Sequence, residues 1–354
     1  MINKNFWLNK NVLVTGHTGF IGSWLCLFLK KLGANVNGYS LPPPTKPSLF
    51  EIANLSKAVN STNGDVRNYS DFVKAVKRIH PEIVFHLAAQ PLVLESYKNP
   101  IETYTTNILG TLNVLEALRY NDSVKAIVNF TTDKCYENKE QARGYSENNR
   151  LGGIDPYSSS KACSELVTYA YRESFYKHEK NQVGIATVRA GNVIGGGDWA
   201  QNRLIPDCIK AFSEKEKVVI RHPNAIRPWQ HVFEPVSGCL SLAEKLYNNV
   251  DKYSEAWNFG PNHNESCEVS WIVNYIANLW GNDPSWEVDT DNNPHEANNL
   301  MLDCTKSHHR LGWIPKWDIK TALKYTIKWY QLIIDNPRIT LEISNKQISD
   351  YLKD

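Results

Sequence analysis

The chain has 354 residues, with 39 lysines and arginines against 37 aspartates and glutamates, for a formal net charge of +2. That balance gives no electrostatic reason to expect nucleic acid or an acidic membrane as a partner. The length allows a sizeable core in two lobes, the apolar runs are far too short to span a bilayer, and the opening MINKNFWLNKN lacks the apolar centre of a signal peptide.

The first half alternates strand and helix signals. NVLVTG, Asn11 to Gly16, is a β-rich run ending in glycine. WLCLFLKKLG has helical length and closes on Gly33. NVNGYS predicts a weaker strand. Ser70 is placed to cap a helix through DFVKAVKRI, which Pro81 stops. EIVFHLAAQ and AIVNFTTD read as buried strands, with TYTTNILGTLNVLEALR as a long helix between them. PYSSSKACSELVTYAYRESF is the next helix and VGIATVRAG the next strand. Strands that are apolar throughout, alternating with helices, predict an α/β fold with a Rossmann-like, doubly wound parallel sheet.

After Gly195, glycine, proline and tryptophan become frequent, and helices return at SWIVNYIANLWG and TALKYTIKWYQLIID. This predicts a smaller mixed α/β lobe. The expected division is residues 1–190, then 191–340 with some chain returning to the first lobe, then a loosely held polar tail over 341–354. The 7 cysteines are odd in number and scattered, without a CxxC pair or a histidine at metal spacing. Reduced cytosolic thiols are expected, with neither a disulfide framework nor a metal site.

Three segments carry chemistry. TGHTGFIG puts Gly16, Gly19 and Gly22 between the first strand and the first helix, where backbone approaches a pyrophosphate closely and a helix N-terminus offers free N–H groups. The second strand ends without the acid that binds an adenosine ribose and without an arginine for a 2′-phosphate, so NAD and NADP both remain open; Asp65, in GDVRN, is placed to touch the adenine end. DPYSSSK sets Tyr157 and Lys161 four residues apart, on one helical face, behind Asp155 as N-cap and Pro156 in the first turn. A nearby ammonium favours a phenolate, which suits Tyr157 to take a proton from a sugar hydroxyl. The third segment, FTTDKCYEN, sets Asp133 beside Lys134 at a strand end, as an ion pair or as an acid and a base.

TGHTGFIG, HLAAQ and YSSSK in this order resemble the extended short-chain dehydrogenase/reductases. The blocks PSLFE, HLAAQPLV, DKCYEN, RAGNVIGGGDW, IRPWQHV, WNFGP and PHEA are similar to the CDP-glucose 4,6-dehydratases within that group. The resemblance implies a bound NAD, a nucleotide-sugar substrate such as CDP-glucose, and a 4-keto-6-deoxy product for deoxysugar biosynthesis. It implies that Tyr157, helped by Lys161, deprotonates the C4 hydroxyl while Thr132 bonds the C4 oxygen and hydride passes from C4 to the cofactor. Asp133 is then the acid at the C6 hydroxyl. Lys134 is the base at C5 and must be neutral to act, with one proton shared in the pair.

Cofactor contacts are implied for Gly16, Thr18, Gly19, Phe20, Ile21 and Gly22 in the turn and for Asp65 and Val66. Leu87, Ala88, Ala89 and Gln90 in HLAAQ follow, with Asn107, Thr131, Tyr157 and Lys161. Substrate contacts are implied for Asn192, Arg203, Leu204, Arg227, His295 and Glu296, the two arginines as phosphate forks. The helices bearing Asn107 and Tyr157 resemble those that pair two copies through a four-helix bundle. The chain departs from the pattern at Ile21, where the family carries lysine, at Leu94 and Glu95, and at Ser146. These changes bear on which nucleotide (CDP, GDP, UDP or dTDP) is recognised. A nucleotide-sugar 4-epimerase is the rival enzyme and a non-catalytic NAD-binding sensor the rival of another class; neither needs Asp133 and Lys134.

Overall fold

The computed structural model describes residues 2–141, 143–178, 182–262, 265–281, 286–289 and 299–353. Its centre is a parallel sheet of seven strands. In chain order six of them are β1 (Asn11–Thr15), β2 (Asn35–Ser40), β3 (Asn60–Asn63), β4 (Ile83–His86), β5 (Ala126–Phe130) and β6 (Gly184–Ala190); the seventh is Ala256–Phe259. Across the sheet the order runs Ala256–Phe259, β6, β5, β4, β1, β2, β3. The order reverses direction between β1 and β4, and a crevice opens there beyond the carboxyl ends of the strands, where open α/β sheets bind ligands.

The strand sequences explain this layering. Side chains alternate faces, so Val12, Val14, Ile83, Phe85, Ala126 and Val128 enter one core cluster while Leu13, Val84 and Ile127 enter the other. With both faces covered, every position of β4 and β6 is buried. β3 reads NSTN and forms the solvated edge.

Helix boundaries follow their caps. The first helix of the nucleotide turn is Phe20–Lys31 and ends before Gly33, which has φ +87°. The helix expected after Ser70 begins two residues earlier: Asn68 is the cap, its side chain accepting from the Asp71 N–H, and the helix is Tyr69–Ile79. The long helix runs from Pro100 to Arg119 with a π turn at Thr105–Leu109.

The tail expected at 341–354 is instead a helix, Thr340–Lys353, docked on the first lobe. Thr340, Ser344, Gln347, Ile348 and Tyr351 share its buried face, so helical spacing outweighs polar composition. Tyr351 meets the rings of Phe28 and Phe233 edge-on, and its hydroxyl bonds the carboxylate of Glu234 at 2.8 Å. Glu234 is fully buried and also accepts from the N–H groups of Lys316 and Trp317.

Burial pushes the Glu234 carboxyl up from 4.5 to about 7, against the pull of those hydrogen bonds. A raised carboxyl binds its proton more tightly in the folded chain. Stability therefore falls as pH rises through that window, by a total of about 3 kcal/mol. Melting temperatures measured from about pH 5 to 8 are expected to fall in the wild type and to flatten in Glu234→Gln. Equal slopes in the two proteins would show that Glu234 does not govern this transition.

Candidate active site

β1 ends in a turn that only glycine completes. Gly16 has φ +72°, and a Cβ there would lie 2.7 Å from the Ala88 nitrogen. A Cβ on Gly22 would lie 2.2 Å from the Gly16 carbonyl oxygen, so the first helix closes onto the turn only without a side chain. Gly19 caps that helix with no side-chain acceptor, which leaves the leading N–H groups facing the cavity. The Thr18 hydroxyl ties the turn to β2 through Ser40 at 2.8 Å and the Leu41 carbonyl at 2.9 Å.

The cavity has a volume of about 1040 Å³ and extends from this turn to the end of β5 and across to the second lobe. Its wall includes Gly16, Thr18, Gly19, Phe20, Ile21 and Gly22, then Asp65 and Val66, then Leu87, Ala88 and Ala89. A glycine cradle, an open helix N-terminus and an apolar slot along β4 fit a dinucleotide. Asp65 lies at the β2–β3 side of the wall, but its carboxylate is paired with Arg67 at 2.6 Å.

Gln90 and Asn107, expected as cofactor contacts, are not part of the wall. Asn107 is buried in the π turn, where its Oδ1 accepts from the Gln90 N–H at 2.8 Å and its Nδ2 donates to the Gln90 carbonyl and to Ser160. It supports the loop after β4 from behind. A polar side chain here looked like a ligand contact in one dimension; the extra residue of the π turn directs it to backbone instead.

The reacting end lies after β5. Asp155 caps the helix Pro156–Ser174 by accepting from the Ser158 N–H at 2.9 Å. One turn of that helix carries Tyr157 and Lys161, both buried. Thr131, Thr132, Asp133 and Lys134 face them from the strand end, and all six residues line the cavity. The Thr132 hydroxyl donates to Asp133 Oδ1 at 3.1 Å and hydrogen-bonds Tyr157. Lys134 Nζ stands 3.6 Å from Asp133 Oδ1 and 3.4 Å from Asn192 Oδ1. The other Asp133 oxygen, Oδ2, is buried beside Gly191 and makes no hydrogen bond, a cost to the fold. Cys135 is wholly buried and packs beneath the loop against Leu300, Leu302 and Cys304.

The electrostatics correct one expectation. Burial pushes the Tyr157 phenol up to about 12, partly offset by its bond to Thr132, with Asp133 raising it further and Arg203 lowering it. In the chain alone burial outweighs the nearby cations. Lys161 Nζ donates to the Phe130 carbonyl at 3.1 Å, and burial lowers Lys161 itself to about 8. A cation that reaches Tyr157 electrostatically from outside its own helix is the Arg203 guanidinium, held by Asp198 at 2.9 Å.

Asn192, Arg203, Leu204 and Arg227 all line the second-lobe side of the cavity. His295 and Glu296 fall outside the described residues. Among the departures, Ile21 and Leu94 face the cavity; Glu95 and Ser146 do not, and Ser146 instead bonds Asn149. Sequence reasoning missed Asp198, which holds Arg203, and the buried pair Glu165–Arg189 beneath the loop. The available signals were an acid one helical turn past Lys161 and an arginine inside the wholly buried strand GIATVRA. Among the described residues no cluster of histidine, cysteine and acids is placed to hold a metal, and no helix is long and apolar enough to cross a membrane.

Residues 13–326 match the family model described as GDP-mannose 4,6 dehydratase. The chain is 50% identical over 355 residues to the CDP-glucose 4,6-dehydratase of Salmonella typhimurium, covering 99% of each. It is 25% identical to the dTDP-glucose 4,6-dehydratase of Haemophilus influenzae, covering 90% of this chain and 97% of that one. Among solved structures, the dTDP-glucose 4,6-dehydratase of Bacillus anthracis in complex with NAD superposes with a TM-score of 0.77 at 23% identity, covering 91% of this chain and 97% of that one. The UDP-glucose 4-epimerase of Thermotoga maritima with UDP-glucose reaches 0.79 at 22% identity, covering 92% and 99%. Both show the same fold. The family match across nearly the whole sheet and second lobe, together with the 50% identity, means that the chain belongs to the GDP-mannose 4,6 dehydratase family of extended short-chain dehydrogenase/reductases.

Proposed function

We propose that the protein is a CDP-glucose 4,6-dehydratase working with bound NAD, converting CDP-glucose to CDP-4-keto-6-deoxy-glucose. The observation that carries this reading is the Asp133–Lys134 pair at the end of β5, facing Tyr157 through Thr132. An epimerase on the same fold needs no acid and base for water loss. The 50% identity to a curated enzyme of that name supports CDP as the nucleotide.

When bound, NAD accepts hydride from C4 and returns it to C6. The chain does the rest. Tyr157 takes the C4 hydroxyl proton, with Thr132 holding the C4 oxygen between them. The ketone acidifies C5, Lys134 takes the C5 proton, and Asp133 protonates the departing C6 hydroxyl, which leaves as water; as hydride reaches C6, Lys134 returns a proton, exchanged with solvent, to C5. Asn192, Arg203 and Arg227 hold the nucleotide diphosphate across the cavity from the glycine turn, with residues 1–190 serving the cofactor and 191–340 the substrate.

Two copies pair through the helices bearing Asn107 and Tyr157, in the cytoplasm. Ile101, Leu109, Leu166 and Tyr169 on these helices are exposed, at 79%, 48%, 56% and 57%. Such an apolar surface suits burial in a dimer.

The test is incubation with NAD and, separately, CDP-, dTDP-, UDP- and GDP-glucose in heavy water, read by mass and NMR. Loss of water with deuterium at C5, greatest for CDP-glucose, is the expected result. An intact sugar inverted at C4 would make the protein an epimerase, and unchanged sugars with NAD still bound would make it a sensor.

A further inference from the structure

The loop after β5 is held at both ends by a single buried ion pair. Glu165 lies on the Pro156–Ser174 helix one turn past Lys161, and Arg189 lies on β6. Their side chains are 3% and 5% exposed and meet at 2.8 Å. At one end of the loop the Thr131 hydroxyl donates to Glu165 Oε1 at 2.5 Å. At the other end Arg189 Nη1 donates to the Tyr136 hydroxyl at 3.0 Å, and that hydroxyl donates in turn to Asn258 Oδ1 at 2.7 Å. Between the two anchors lie only Thr132, Asp133, Lys134 and Cys135.

A buried ion pair is weak evidence for stability, because desolvation offsets its attraction. This one carries an added cost, since Arg189 Nε is buried without a hydrogen-bond partner. The surroundings nonetheless favour the charged forms. Burial opposes ionisation of Glu165, yet Arg189 and the hydroxyls of Thr131 and Thr187 hold its carboxyl below the usual range. A group that is expensive to bury and tied to both ends of a four-residue loop is accounted for by what it holds in place.

We propose that Glu165 and Arg189 are positioning residues for the elimination step: through Thr131 and Tyr136 they clamp the loop so that Asp133 and Lys134 face C6 and C5 of the substrate. Oxidation at C4 uses one loop residue, Thr132, beside Tyr157 and Lys161 on the helix, whereas elimination uses Asp133 and Lys134, both in the loop, so the clamp bears more on the second half of the reaction. The inference rests on the proposed dehydratase reading.

The clamp is tested at its anchors, where a single hydroxyl is removed and the ion pair is left intact. In Thr131→Val and Tyr136→Phe, single-turnover elimination is expected to fall about 10- to 100-fold, the penalty of slight misplacement. In Tyr136→Phe, NAD affinity should stay close to wild type and elimination should fall more than cofactor reduction, so the reduced-cofactor absorbance accumulates; in Thr131→Val elimination is read relative to that variant's own cofactor-reduction rate, and a modest drop in melting temperature is expected in both because each leaves a buried partner without its bond. Thr131→Ser, which keeps the hydroxyl, should restore elimination. Wild-type elimination in both anchor variants, or equal losses in both half-reactions in step with a lower melting temperature, would overturn the clamp. If the wild-type protein does not dehydrate CDP-glucose, the underlying function fails, and with it the clamp; that result is visible before any substitution is made.

Discussion

Tyr157→Phe is expected to leave NAD bound and to stop its reduction by the nucleotide sugar. The phenol is the one side chain within hydrogen-bonding reach of Thr132 that sits one helical turn from Lys161 and lines the cavity. Removing the hydroxyl keeps the buried ring, so the fold should survive with a melting temperature close to wild type. The oxidation rate should fall about 10³- to 10⁴-fold, the range of a lost general base. The pH dependence gives a second readout. Burial pushes Tyr157 up to about 12, so its proton is held firmly at neutral pH in the chain alone, and the oxidation rate of the wild type should climb as pH rises. Tyr157→Phe should lose that climb along with the rate. If oxidation proceeds at the wild-type rate without the hydroxyl, Tyr157 is not the base.

Lys134→Ala is expected to separate the two halves of the reaction. Lys134 is about a third exposed, at 32%, and contacts Asp133 and Asn192. Its loss should leave C4 oxidation near the wild-type rate and slow elimination about 10²- to 10⁴-fold. The reduced cofactor would then persist, and no deuterium would enter at C5. Asp133→Asn should stall at the same stage for a different reason. The amide still accepts from Thr132, but it cannot protonate the departing hydroxyl. Normal dehydration by Lys134→Ala would return the Asp133–Lys134 pair to the status of a plain ion pair. The clamp variants should show the same stall at smaller amplitude, because they move the acid and base without removing them.

Much of the site could be read from local pattern because its chemistry is local. The glycine turn needs its spacing within one strand–helix junction, and Tyr157 and Lys161 need only one helical turn. The failures share a cause as well. Asn107 looked like a cofactor contact, and only the π turn shows that it is spent on the Gln90 backbone. Arg203 lines the cavity as expected, but the sequence did not show that Asp198 holds it where its charge also reaches Tyr157. The C-terminal stretch looked like a polar tail because most of its inward-facing residues are polar; Trp329 Nε1 donates to Ser344 and Glu234 accepts from Tyr351, contacts to partners far away in the chain.

By itself the sequence determined the α/β alternation, the parallel sheet, the glycine turn after β1 and the placing of Tyr157 and Lys161 on one helical face. Each depends on periodicity or spacing within about twenty residues, which backbone geometry translates directly into structure. The tertiary structure decided everything that depends on burial and on distant partners: the raised Tyr157 phenol, the neutralising company of Arg203, and the ion pair from a helix and a strand that brackets the catalytic loop. Those effects arise from desolvation and from charges brought together across the fold, and neither is a property of any short stretch of chain.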